Sequence, residues 1–433
     1  SEIIETIDMK IAVDIEGSFA KDTWIRGEAD IDLFLLFPPE VVRAEFESLA
    51  LEIGEKILAP NKTQRRFAEH PYLETKIDDI RVNVVPAYKV RRGHWKSATD
   101  RTPFHTKYIR KKLETAKRLE VRLLKQFMKG TGTYGSEIRV GGFSGYLSEI
   151  LILEYGSFLN TIENAAKWQG TEIIDIEKHY ERKEDLRDLF NEPLIVIDPI
   201  DLQRNVASAV TLGKLSEFIA SCREFQRRPD REFFFPKEEI FSEKELLQNL
   251  EKRGTYLLFI QIGRLSITPD VLWGQLYRSE RALCRILSEE GFIVLRSSAW
   301  SEEQAEAILI IELEGGTISK SKTQTGPFTW SEETERFIEK HLGAPETVYG
   351  PWIEKDRWMV RVKRKHTKAT DMIREKIKDE PDNLGLGRKI QKAMKTGYRL
   401  IVGEEIISFY SRNKSFAEHL TKFLKGSPLW ARR

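Results

Sequence analysis

The chain reads as an α+β protein of several domains, and three observations predict this. Its 433 residues exceed what one hydrophobic core organises at roughly 150 residues per domain, so about three domains are expected. Strand-like and helix-like segments alternate over the first hundred residues, give way to helices, and alternate again beyond residue 255. Charge is uneven: from Pro351 onward there are 21 Lys and Arg against 10 Asp and Glu, net +11, whereas the remainder carries 49 against 58, net −9. The resulting division is a mixed α/β head at 1–110, a helical neck at 111–228, a ferredoxin-like body at 229–350 and a basic α/β tail at 351–433.

In the head, Ile31–Phe37 (IDLFLLF) is bulky and apolar and stops at Pro38-Pro39, as a strand bounded by a breaker should. Ile80–Tyr88 (IRVNVVPAY) alternates in part and is a second strand. Between them Glu40–Leu58 has helical spacing, with Ala44, Phe46, Leu49, Leu51, Ile53 and Ile57 available for its buried side. A helix is predicted over Leu113–Lys129 with Gly130 as its C-terminal cap, and Ser144 opens another through YLSEILILEYG. The charged, aromatic stretch Glu224–Asn249, with Pro229 and Pro236, marks a boundary. After it come strand Tyr256–Ile262, a helix started by Thr268-Pro269-Asp270 and closed by Gly291, and strands Phe292–Arg296 and Ala307–Leu313. A helix begun at Ser331 and a final strand, Thr347–Trp352 or Arg357–Val362, complete the order of a ferredoxin-like sheet. Ser301-Glu302-Glu303-Gln304 imitates a capping box, but AILIIEL after it favours a strand. No internal repeat is evident.

Composition narrows the function classes. Runs such as Ile150–Leu153 and Ile308–Ile311 are too short to cross a bilayer, and the opening residues show no basic-then-apolar leader, so a soluble cytoplasmic protein is expected. Cys222 and Cys284, with no CxxC and no Cys/His cluster, support neither a disulfide framework nor a zinc site. The basic tail suits a polyanion, although a solvated helical surface in a Lys/Glu-rich protein explains the charge equally well.

The chemistry concentrates in the head. Asp30-Ile31-Asp32 begins the first strand, and alternation puts both carboxylates on one face while Ile31 points to the other. Such a pair can hold Mg²⁺ for two-metal nucleotidyl transfer, in which hard oxygen ligands are required. Upstream, Gly17 permits close backbone approach and Ser18 offers a hydroxyl and an amide to phosphate oxygens. An Asp-x-Asp alone is usually an exposed strand start. The Gly-Ser, the apolar strand and a polar residue on the second strand change that reading.

The segments GSFAKDTWIRGEADIDLFLLFP, FAEHPY, DRTPFHTKYI, VRLLKQFMKGTGTYG, GFSGYLSEILILEYGSF, VIDP and QRNVA occur in this order. They resemble the archaeal-type (class I) CCA-adding tRNA nucleotidyltransferases over Glu16–Ala207, and more weakly at Cys222–Phe225 and Leu295–Trp300. The resemblance implies a polymerase-β-like catalytic head followed by neck, body and tail. It also implies untemplated addition of C, C and A from CTP and ATP to a tRNA 3′ end, with Mg²⁺ as cofactor. Carried over residue by residue, Gly17, Ser18 and Lys21 contact the triphosphate and Asp30 and Asp32 hold metal. Thr102, His105, Lys125 and Tyr134 complete the nucleotide pocket, Arg204 reads the incoming base, and Glu69 and His70 lie near the primer end. The tail bases Lys363, Arg364, Lys365, Arg388 and Lys389, with Lys368, Lys392 and Lys395, are assigned to the tRNA backbone. Without the resemblance, His105 is a structural donor, Lys125 part of a polar helix face, Tyr134 a packing residue, and Arg204 a partner for Asp201 or Asp198.

One position departs from the pattern. Where the family has a third carboxylate in a run like VDVVP, this chain has VNVVP, so Asn83 offers a neutral oxygen to the metal. It marks either a natural variant with altered chemistry or an engineered, substrate-trapping substitution. The alternatives to CCA addition are another RNA-tailing nucleotidyltransferase of poly(A) or oligoadenylate type, and a tRNA-binding protein that has lost catalysis. A homodimer is compatible with the sequence.

Overall fold

The structure is a computed structural model that describes residues 9–431 apart from 68, 183, 238, 304 and 380. It comprises two compact units. One contains the described residues before Glu239 together with the short segment after Gly426, and the other is Glu239–Gly426.

The first unit begins with a five-stranded sheet of β1 (Ala12–Glu16), β2 (Asp30–Phe37), β3 (Gln64–Phe67), β4 (Pro71–Ile77) and β5 (Ile80–Tyr88) in the order β1-β2-β5-β4-β3. Only β2 and β5 run parallel, and their register sets Asp30 beside Arg81 and Asp32 beside Asn83. The far half of β2 is buried from Phe34 to Phe37, which anchors the strand and leaves its acidic start half-buried. Helix α1 (Arg43–Leu58) buries Phe46, Ala50, Ile53 and Leu58 against this sheet. Ala44, expected on that face, is exposed because it lies two residues, about 200°, from Phe46.

Among the helices that follow in the same unit, besides the short Glu184–Leu189, are α2 (Thr102–Lys112), α3 (Lys117–Gly130), α4 (Gly145–Tyr155), α5 (Phe158–Ala165) and α6 (Leu212–Arg227). They share a core that includes Phe127, Phe143, Leu147, Ile150, Leu151, Phe158 and Phe218. The helix expected to start at Leu113 starts at Lys117, because Leu113 turns extended and ends α2. Gly130 is the last helical residue rather than a left-handed cap. A Cβ there would meet the Phe233 carbonyl oxygen at 2.1 Å, so close backbone packing is what requires glycine. Ser144 caps α4 as expected, its side chain accepting from the Leu147 N–H at 3.1 Å. A small sheet absent from the sequence reading, β6 (Glu172–Ile174), β7 (Leu194–Asp198) and β8 (Asp201–Asn205), accompanies these helices. The VIDP segment forms the end of β7 and its turn into β8.

The second unit holds α7 (Glu243–Arg253), β9 (Tyr256–Ile262), α8 (Pro269–Glu289), β10 (Val294–Ser301) and β11 (Ala307–Leu313). Next come β12 (Ser321–Phe328), α9 (Thr334–His341), β13 (Thr347–Glu354) and β14 (Arg357–Lys363). The unit ends with α10 (Ala369–Asp379), α11 (Arg388–Thr396), β15 (Tyr398–Val402), α12 (Glu405–Arg412) and α13 (Lys414–Lys425). Strands β10-β11-β9-β15, in that order and antiparallel throughout, make the ferredoxin-like sheet. Its fourth strand is β15, from the basic tail segment, and neither candidate named from sequence. Thr347–Glu354 and Arg357–Lys363 are indeed strands, but they pair in a separate sheet, β12-β14-β13, inserted between the third and fourth strands. Among the described residues no helix is long and apolar enough to cross a membrane.

Candidate active site

The site is built on the parallel pair β2 and β5. Asp30 and Asp32 project from one face of β2, and Arg81 lies 3.4 Å from Asp30. Asn83 donates from Nδ2 to Asp32 Oδ1 at 2.9 Å. Burial pushes both carboxyl groups above their ordinary range, with Arg81 opposing this at Asp30 and the Asn83 bond opposing it at Asp32. Gly17 has φ +73°, and a Cβ on it would come within 2.1 Å of Asp32 Oδ2, so the chain must be glycine where it approaches the carboxylate. Ser18 follows in the single helical turn Gly17–Ala20 and accepts the Thr23 N–H on its backbone oxygen.

The donor set can be tested against a metal. Among the described residues no group of three His, Cys, Asp or Glu could hold an ion. An ionised carboxylate only accepts hydrogen bonds, so the amide nitrogen of Asn83 is the atom that faces Asp32. Its Oδ1 is left buried and without a partner. Two desolvated carboxylates beside an unsatisfied amide oxygen fit a hard divalent cation, with one fewer negative charge than a triple-carboxylate site supplies.

Next to the carboxylates lies a buried cationic group. Lys21 donates to Glu149 Oε2 at 2.6 Å, and Lys125 donates to the Thr23 carbonyl at 3.0 Å and lies 3.4 Å from Glu149 Oε1. Tyr134 Oη and Lys125 Nζ both border the place where a Gly145 Cβ would sit, at 3.1 and 3.4 Å. Lys125 is expected on a polar helix face if structural alone, yet it is 1% exposed. Burial lowers its ammonium to about 8 despite Glu149. Burial also works to raise the Glu149 carboxyl, but the Lys21 and Lys125 charges outweigh it and leave it below the usual range.

A third cluster centres on Asp198. Its Oδ2 accepts from His105 Nε2 at 2.8 Å and from Arg204 Nη1 at 2.7 Å, while Oδ1 accepts from Tyr146 Oη at 3.2 Å and the Ile200 N–H at 3.1 Å. Burial opposes ionisation of Asp198, and the His105 bond together with the Arg204 guanidinium reverses that. Burial lowers His105, against the Asp198 bond and charge that favour its protonation, and Nε2 is the ring atom that faces the carboxylate. Thr102 precedes His105 by one turn of α2. Asp201, the other partner considered for Arg204, is engaged by Arg101 at 2.7 Å. Arg92, Trp95, Arg101, Asp201 and Arg204 line a cavity of about 860 Å³.

The three clusters are continuous. Lys21 acts electrostatically on Asp32, its Nζ stands 5.6 Å from the Tyr146 ring centre, and the Tyr146 ring lies tilted against His105 with centres 4.0 Å apart. Gly17, Lys21, Asp30, Asp32, Asn83, His105, Lys125, Tyr134 and Arg204 are therefore brought together within one unit. Glu69 and His70 engage other groups. Glu69 accepts from the Ala98 N–H, and His70 is buried against Phe46 with Nδ1 2.9 Å from Glu47. In the second unit Lys363 donates to the Pro345 carbonyl at 2.8 Å, Arg364 to the Glu290 carbonyl, and Lys365 pairs with Glu375. Arg388, Lys389, Lys392 and Lys395 are exposed on α11, whose Ile390 and Met394 are buried.

Sequence reasoning gave no role to Glu149, Tyr146, Thr23 or Arg81, and named Asp198 only as one of two candidate partners for Arg204, the one that the structure shows. The available signal was an acid inside an apolar run: Glu149 within YLSEILIL and Asp198 after LIVI. A charge that keeps its place in such a run needs a buried partner.

Comparison with known proteins places this arrangement. Residues 1–117 match the family described as nucleotidyltransferase domain, 119–235 the tRNA nucleotidyltransferase second domain, and 253–403 the CCA-adding enzyme C-terminal domain. A protein of Methanosarcina mazei named CCA-adding enzyme is 37% identical over 418 residues, 96% of this chain and 89% of the relative. Proteins of the same name from Methanothermobacter thermautotrophicus and Archaeoglobus fulgidus are 36% and 37% identical over 94% and 90% of this chain, and 87% and 86% of their own lengths. With the carboxylate pair, the buried lysines and the Asp198 cluster lying inside the matched segments, the chain belongs to the CCA-adding enzyme family.

Proposed function

We propose that this chain adds C, C and A, from CTP and ATP, to the 3′ end of tRNA without a nucleic-acid template, with Mg²⁺ as its metal and the cytoplasm as its place of work. The observation that carries the reading is the continuous band from Asp30 and Asp32 through Lys21 and Lys125 to His105 and Arg204. A nucleoside triphosphate offers the same sequence of chemistries: a reacting phosphate, a polyanionic tail and a flat hydrogen-bonding base. Ser18, Lys21 and Lys125 bind the triphosphate, with Tyr134 at its margin. Arg204, held by Asp198, presents a planar donor fork to the base, while Thr102 and His105 line the pocket beside it. Asp30, Asp32 and the Asn83 oxygen would hold Mg²⁺, and the chemistry it would supply there is acidification of the attacking hydroxyl and compensation of phosphate charge. Glu69 and His70 are assigned to the primer side, and the exposed bases of the tail segment to the tRNA backbone.

The test is extension of a tRNA that ends at its discriminator base, with Mg²⁺, CTP and ATP. Incorporation of C, C and A supports the reading. Tailing by A alone places the chain with poly(A)-type enzymes, and tight tRNA binding without extension makes it a binding protein.

A further inference from the structure

We propose that Glu149 is the positioning residue of the phosphate site: it clamps Lys21 and Lys125, from different parts of the chain, into one fixed cationic pair. This rests on the nucleotide-site reading above and names a residue to which that reading gives no part.

The geometry is specific. Glu149 sits in α4, fully buried, and its two oxygens divide the work. Oε2 takes Lys21 at 2.6 Å, while Oε1 takes the Thr23 hydroxyl at 2.5 Å and faces Lys125 at 3.4 Å. The Thr23 carbonyl and hydroxyl hold Lys125 from the other side, at 3.0 and 3.3 Å. Lys21 and Lys125 lie 128 and 24 residues from Glu149 in the chain, so one carboxylate joins the segment after the first helical turn to helices α3 and α4.

The charge balance gives this clamp a direction. Two ammonium groups, 7% and 1% exposed, share a single carboxylate at contact, Asp32 and Glu16 acting on Lys21 only at longer range, so the contact cluster carries one surplus positive charge. A buried surplus charge is costly until a counter-ion arrives, and a phosphate group supplies it. Removing the carboxylate leaves two like charges side by side in a poorly solvated place. Lys125 is then faced by Lys21, by Arg122 of its own helix and by the neutral phenol of Tyr134, with no anion at contact. It sheds its proton at lower pH than in the intact site.

The experiment is equilibrium binding of ATP, with Mg²⁺, to the full-length chain across pH 6–9, which does not require turnover. In the wild type, affinity falls as pH rises through about 8, where unliganded Lys125 loses its charge. In Glu149→Gln, which keeps the shape, that fall moves to lower pH and affinity at pH 7.5 drops about tenfold, recovering toward pH 6. Glu149→Asp restores part of the wild-type profile. A Glu149→Gln chain that melts as the wild type does and binds ATP with an unshifted profile overturns the inference and leaves the nucleotide-site reading intact. Should Glu149→Gln not fold, Lys125→Gln serves: the fall near pH 8 must vanish, and its persistence overturns the inference. A wild-type chain that binds no ATP overturns both.

Discussion

Replacing Asn83 with Asp is the sharpest perturbation this site allows. In the present chain the Asn83 amide donates to Asp32 Oδ1 at 2.9 Å, with its own oxygen unpartnered. Asn83→Asp turns that bond into a carboxylate–carboxylate contact. At this separation the repulsion amounts to about 4–6 kcal/mol in an effective dielectric of about 20, before side-chain movement and proton uptake reduce it. Without metal, the variant should therefore unfold at lower temperature than the parent, and more so as pH rises and the crowded acids ionise. A divalent cation that binds only the folded site reverses this by mass action. The gain appears in turnover. A third carboxylate would hold more firmly the metal ion that stabilises charge developing in the transition state, so extension of tRNA should accelerate by two or more orders of magnitude, roughly 3 kcal/mol of barrier, with nucleotide affinity little changed. Single-turnover extension by both forms over a Mg²⁺ titration, paired with thermal melts, measures each term. If the Asn83 chain already extends tRNA as fast as the Asp form, position 83 is not part of the metal site and the argument fails.

Three further outcomes are expected. Arg204→Ala should damage nucleotide selection, with about 1–3 kcal/mol lost in discrimination, while tRNA affinity measured by filter binding stays near the parent value; loss of tRNA affinity alone would place Arg204 on the RNA instead. Charge reversal at Arg388, Lys389 and Lys392, exposed on α11, should lower the salt dependence of log tRNA affinity by about 0.7–0.9 for each phosphate contact removed, and an unchanged slope means a merely solvated surface. Glu312 accepts from Arg253, Thr255 and Arg296 and titrates at about 2, burial being outweighed by these donors. Its folded value lies below the unfolded one, so its stabilisation is present above pH 4.5 and disappears as pH falls toward 2; Glu312→Gln should melt earlier at neutral pH and show a flatter acid limb, and an unaltered limb refutes the assignment.

What could be read in advance depended on the range of the interactions involved. Asp30 and Asp32 were legible because the two-residue period of a strand fixes their common face locally, and the apolar run after them fixes the strand. Lys21, His105, Lys125 and Arg204 were reached through resemblance to a family, and no local rule would have joined them. Glu149, which holds Lys21 and Lys125, escaped because its role exists only through partners as many as 128 residues away; Asp198 was named as a partner for Arg204, six residues on, but its bond to His105, 93 residues away, was not foreseen. Gly130 was misjudged for a related reason: a glycine after a helical run reads as a cap unless the Phe233 carbonyl is known to press on it. The ferredoxin-like order was legible in type, but its last strand was misplaced. The inserted β12-β14-β13 sheet offers strands of ordinary composition just where the fourth was expected, and periodicity does not say which sheet a strand joins.

That displaced strand has a consequence for how the molecule is made. β9 lies inside its sheet only because β15 pairs along its outer side, from Tyr398 opposite Ile262 to Val402 opposite Leu258. On a ribosome, β9, β10 and β11 emerge long before β15, so the growing chain carries an open strand edge of almost wholly apolar residues, Tyr256 to Ile262, through synthesis of the whole insertion. The apolar stretch is exposed to self-association in that interval, and a chain truncated between Ile262 and Tyr398 would keep the edge open. The boundary between body and basic tail is thus a division of labour that the backbone does not respect: the segment bearing the basic surface is also the one that seals the sheet.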